Sequence, residues 1–174
     1  MNVVQELAAR TLLVILAAAV VQDFMYMKIS NRLILMGILF SLAFGLTTGG
    51  PKQVIYVLAN LSFPVIVLYL LYLLGVLGAG DIKLFSIIGG FTNFRLLISC
   101  MFFSFVVAAV IAVCKMLYNR NFCGSLLRAG TYFRCLRQEG IVSYHKEWAE
   151  HRNLMHFSVA ILIGYIAAVA VQVL

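Results

Sequence analysis

Charge is scarce in this sequence. Only 11% of its 174 residues are charged, against 64% hydrophobic ones, whereas a soluble domain normally carries roughly a quarter charged residues. Such a chain cannot cover a water-facing surface, and it reads as an all-α, polytopic membrane protein. Cysteine pairs are missing as well: Cys100, Cys114, Cys123 and Cys135 contain no C-x-x-C spacing. Two of the four lie in an apolar run, so neither a zinc site nor a disulfide framework is indicated. His145, His151 and His156 show no metal-ligand spacing, and no metal or cofactor is expected. Aspartate occurs only as Asp23 and Asp81.

What the chain does contain is a series of apolar runs separated by short basic segments. Leu7 to Gln22, Leu33 to Thr48, Val54 to Leu77, Leu96 to Leu117 and Leu154 to Leu174 are each long enough to cross a bilayer, some with help from flanking residues. Thr47-Thr48-Gly49-Gly50-Pro51 separates the second run from the third, and Pro64 marks an expected kink. Leu84 to Phe94 is too short to span alone, at roughly 16 Å for its length. Either it re-enters the membrane, or its helix begins near Gly80. About six transmembrane helices are expected, forming a single domain over residues 1–174, with a polar loop at about 119–153.

The net charge of +7 would suggest nucleic acid in a soluble protein, but here it is distributed as topology signals. With six crossings, Lys28, Arg32, Lys83, Arg120, Arg128, Arg134, Arg137, Lys146 and Arg152 share one side, while Arg10, Lys52 and Arg95 take the other. Nine against three makes the first side cytoplasmic. Nucleic-acid binding is excluded. The loop at 119–153 interleaves Phe122, Tyr132, Phe133, Tyr144 and Trp148 with its basic residues, which suits contact with anionic membrane lipids.

Asp23 and Asp81 therefore fall at the same depth on the same side. Ionisable side chains at membrane depth face protein interior or a wet cavity. Singly, Asp81 reads as a helix N-cap and Asp23 as an interfacial residue. Together, two carboxylates sharing a proton can activate water and protonate a leaving amine. Asp81 precedes an apolar helix, whose dipole suits an ionised base, and Asp23 follows one, which suits the protonated partner. Gly78 and Gly80 would let an extended substrate backbone approach, and otherwise make a simple turn. Lys83 stands ready to tune the carboxylates, contact substrate or hold a phospholipid head group. The same pair of aspartates would also serve a small transporter as a proton or cation site, although the halves of the chain show no internal repeat. A noncatalytic scaffold is the third reading.

Gly78-Ala79-Gly80-Asp81-Ile82-Lys83-Leu84 resembles the G-x-G-D-x-K-L signature of the type IV prepilin peptidases, bacterial G-x-G-D intramembrane aspartyl proteases. Asp23, followed by Lys28-Ile29-Ser30-Asn31-Arg32-Leu33, is similar to the family's first catalytic aspartate and its I-P-N-x-L tail, with Ser30 in place of proline. The stretch from Met155 to Gly164 resembles the family's final helix. The resemblance implies an endopeptidase with Asp23 and Asp81 as catalytic residues and Gly78, Gly80 and Lys83 beside the substrate. It also implies prepilin-like protein partners and a bacterial cytoplasmic membrane location, with the site facing the cytoplasm. The paired C-x-x-C domain of the long family members is not found here, so N-methyltransferase activity is not implied.

Overall fold

The computed structural model describes residues 3–26, 29–74, 76–118 and 157–173. The loop at 119–153, with Cys123, Cys135, His145 and His151, lies outside the described residues, as do His156 and Lys28. Five helices are described: α1 (Val3–Tyr26), α2 (Asn31–Leu73), α3 (Ala79–Phe91), α4 (Phe94–Tyr118) and α5 (Phe157–Val173). Among the described residues, Glu6–Tyr26, Asn31–Leu73 and Phe94–Lys115 are apolar and long enough to cross a membrane, and Phe157–Gln172 is a shorter apolar helix. Met1–Val107 and His156–Leu174 form one compact unit, which contains the candidate site, and Ala108–Met155 form a second.

The long α2 is a hairpin of two helical limbs. Its only residue with non-helical dihedrals is Gly50, at φ 65° and ψ −157°, a region that essentially only glycine occupies. The limbs fold back so closely that a Cβ on Gly45 would meet Val57 Cγ2 at 2.9 Å. The breaker cluster read from the sequence thus marks a true reversal, and Pro51 begins the second limb, where its missing N–H costs least.

Pro64 lies inside that limb without breaking it, and the dihedrals stay helical around it. Proline still leaves the carbonyl four residues earlier without its helical donor. That carbonyl belongs to Asn60, and Gly89 of α3 backs directly onto it, so closely that a Cβ there would lie 2.5 Å from the oxygen. The second limb therefore turns its unsatisfied carbonyl toward another backbone rather than toward lipid.

At the centre stands α3. Ile82 and every residue from Leu84 to Gly90 are buried, as expected of a helix that is apolar on all sides. Three other helices meet it or its neighbours in register. Leu12, Leu16 and Ala19 of α1, and Ile161, Tyr165 and Ala168 of α5, are buried at helical spacing. Phe85 stacks on Phe105 of α4 at 6.2 Å and meets Phe157 of α5 edge-on at 6.2 Å. Because Leu97 packs near Gly89 while Phe105 packs on Phe85, α4 runs antiparallel to α3. Large apolar side chains such as Val14, Leu39, Ile66 and Phe102 point outward, where lipid tails replace water.

At 13 residues, α3 measures about 20 Å, short of a hydrocarbon core of about 30 Å. It begins at Ala79, so of the two sequence readings the early start is the observed one. Its far end stops alongside the middle of the second α2 limb. A helix end at such depth needs internal partners. Thr92 Oγ1 donates to Ile88 O at 2.7 Å, and Asn60 Nδ2 donates to Thr92 O at 3.2 Å.

Candidate active site

Asp23 lies within α1, which continues through Tyr26. This corrects the boundary read at Gln22: no glycine or proline follows until the chain turns near Ile29, so nothing stops the helix earlier. In consequence the Asp23 side chain, which leans toward the helix N-terminus, sits back from the terminal carbonyls, and the helix-end bias expected there is weakened. The carboxylate is half-buried. Its Oδ2 accepts a 2.6 Å hydrogen bond from Ser158 Oγ, at the start of α5.

Asp81 occupies the third position of α3 rather than the cap, which is Gly78. Its Oδ2 accepts from Gly78 N at 3.2 Å, closing the helix start as the acidic half of a capping box. The capping role expected of Asp81 is therefore present, from inside the helix. It too is half-buried. A Cβ on Gly78 would lie 3.0 Å from that same Oδ2, and one on Gly80 would lie 3.2 Å from Ile29 Cδ1. The space over the two glycines is thus taken by the carboxylate and by Ile29.

The connection between α1 and α2 draws these two helix ends together. Ser30 N donates to Gln22 Oε1 at 3.0 Å, beside Asp23; Ile29 packs on Gly80, beside Asp81; and Lys83 Nζ donates to Asn31 Oδ1 at 2.9 Å. A second route runs through α5, where Ser158 holds Asp23 and the adjoining Phe157 packs on Phe85, one turn beyond Asp81. Both aspartates thereby stand at one end of the bundle.

Residues 11–113 match the type IV leader peptidase family, and the match takes in both aspartates and the Gly78–Lys83 segment. The chain belongs to that family. It is a leader-peptidase-like protease with helices long and apolar enough to cross a membrane. No curated protein and no solved structure matches it. Family membership sets the peptidase reading above the transporter and scaffold ones.

In this peptidase the serine that replaces the family's proline keeps a proline-compatible backbone, at φ −66° and ψ 130°. It adds two contacts that proline cannot make. Its N–H reaches Gln22, and its hydroxyl caps α2 by accepting from Arg32 N at 3.3 Å. Lys83 is exposed on the α2 side of α3, where it also borders a groove of about 470 Å³ with Ile34, Leu61, Ile66 and Ser86. Among the described residues no group of three or more His, Cys, Asp or Glu side chains is placed to hold a metal ion. Sequence reasoning gave Ser158 no role. The available signal was a hydroxyl opening an otherwise apolar helix, and only the fold supplies its partner.

Proposed function

We propose that the protein is an intramembrane aspartyl endopeptidase that removes the leader peptide of prepilin-like substrates at the cytoplasmic face of the bacterial cytoplasmic membrane. The observation that carries this reading is the convergence of Asp23 and Asp81 at one end of the bundle, tied through Gln22–Ser30 and Ile29–Gly80. One ionised carboxylate takes a proton from water as its oxygen attacks the scissile carbonyl carbon. The other, protonated, donates a hydrogen bond to the carbonyl oxygen. As the tetrahedral adduct collapses, the C–N bond breaks and the leaving amine takes a proton from the pair. An extended substrate strand would reach Asp81 over Gly78 and Gly80 by displacing Ile29, which packs there, and Lys83, exposed on the same helix, would contact the substrate.

The test is purified protein in lipid vesicles with a leader-bearing prepilin-like substrate, read by gel shift. Leader loss is expected, and it should persist in EDTA because the carboxylates activate water themselves. Inhibition by EDTA that zinc or magnesium restores would overturn the mechanism.

The orientation rests on the nine-to-three distribution of basic residues. Single cysteines at Lys28, Ser125 and Ser143 in a cysteine-free background should resist an impermeant thiol reagent in intact cells, and one at Lys52 should react. Labelling at Lys28 from outside would place the carboxylates on the wrong face.

A further inference from the structure

The hydrogen bond between Ser158 and Asp23 joins residues at opposite ends of the sequence, and it has features of a built support. Ser158 is 1% exposed, so its hydroxyl has no water to turn to. It sits near the start of α5, where a serine ordinarily caps its own helix, yet its described bond goes to Asp23 Oδ2, at 2.6 Å. The neighbouring side chains hold it there. Phe157 packs against both Phe85 and Phe105, with ring centroids 6.2 and 5.8 Å away. Further along α5, Gly164 lies so close to α4 that a Cβ would be 2.6 Å from Ser104 N.

We infer that Ser158 is a positioning residue of the peptidase: its buried hydroxyl holds one oxygen of Asp23, fixing the carboxylate's rotation so that the other oxygen is presented to the reacting water or carbonyl. The inference rests on the two-aspartate reading given above. A hydroxyl is the donor this task requires, because a short hydrogen bond to an ionised or partly ionised carboxylate is stronger than a neutral one. It is also compact enough to fit between the packed helices α1 and α5. The match to the leader peptidase family ends at residue 113, so α5 contributes to the site from outside the matched segment.

A positioning role differs from simple packing in what it does to turnover. Ser158→Ala removes one hydroxyl oxygen and its hydrogen bond but no bulk that the core depends on, so folding should persist, while Asp23 Oδ2 loses the donor that fixes its rotation. With a leader-bearing substrate in vesicles, kcat should fall roughly 10- to 100-fold with KM within about 2-fold of wild type. Ser158→Thr, which keeps the hydroxyl, should restore most of the loss. Ser158→Val, matching threonine in shape without the donor, should not. In detergent the valine variant should unfold at a lower temperature than the threonine variant, by the worth of one buried hydrogen bond, but remain folded at the assay temperature, so that its lost turnover reports the hydroxyl and not unfolding.

Asp23→Asn is run beside them. If Asp23→Asn is inactive and Ser158→Ala turns over at the wild-type rate, the positioning role is overturned and the two-aspartate mechanism stands. Equal turnover by the threonine and valine variants likewise overturns it. If Asp23→Asn itself cleaves normally, the two-aspartate reading fails, and the role of Ser158 fails with it.

Discussion

Replacing either aspartate by asparagine should lower leader cleavage roughly 100- to 10,000-fold, the usual worth of a general acid or base. Insertion and abundance should stay at wild-type levels. The structure explains why the two effects separate. An asparagine at position 23 still offers an oxygen to the Ser158 hydroxyl, and one at position 81 still offers an oxygen to Gly78 N–H, so these two hydrogen bonds survive. What disappears is the capacity to exchange a proton with water. The contrast matters most at Asp81, whose capping bond gives it a purely structural reason to exist. Were capping its whole purpose, Asp81→Asn would cost well under about 1 kcal/mol of stability and leave cleavage untouched. Cleavage by either variant within 10-fold of wild type, normalised to membrane abundance, would remove the two-aspartate mechanism.

The largest expected structural effect is at Gly164. A Cβ there would stand 2.6 Å from Ser104 N and 2.7 Å from Ser104 Cα. The obstacle is backbone, which cannot rotate aside, so Gly164→Val must push α5 off α4. Small residues are what permit such approach in membranes, and the loss should be about 3 kcal/mol, the upper end of overpacking costs. It should appear as a lowered unfolding temperature in detergent. Cleavage should fall as well, because α5 carries Ser158 against Asp23. Gly50→Ala is the informative comparison. Nothing lies within 4 Å of a Cβ at Gly50, and the only difficulty is its φ of 65°, a local strain of about 1–3 kcal/mol. Its damage should stay in the hairpin turn and spare cleavage. A wild-type unfolding temperature for Gly164→Val would show that α4 and α5 do not approach as described.

Much of the site was legible because its residues are chemically out of place. Asp81 between apolar runs, its flanking glycines, and Asp23 near the end of the first run all stand out from the composition alone. The reversal at Gly50 was legible for a similar reason, since two glycines followed by proline leave a helix few alternatives. Less was visible where a residue's meaning depends on its neighbour. Pro64 is plain in the sequence, but that Gly89 comes up against the carbonyl it leaves without a donor is seen only in the fold. The end of α1 was read too early because a charge was taken for a terminus. A helix can carry Asp23 when another helix supplies a hydrogen-bond donor.

By itself, the sequence determined the membrane class, the helical content, the break in α2 and the two carboxylates, because these follow from composition and local backbone preference. Tertiary structure alone decided that α3 stands at the centre with its far end held by Asn60, and that Gln22 and Ser30 tie α1 to the next helix. It also decided that Ser158, from the last helix, holds Asp23. These contacts join positions far apart in the chain. Their partners are chosen by close packing and by the need to satisfy polar groups where no water reaches, and neither requirement leaves a periodic mark in the sequence.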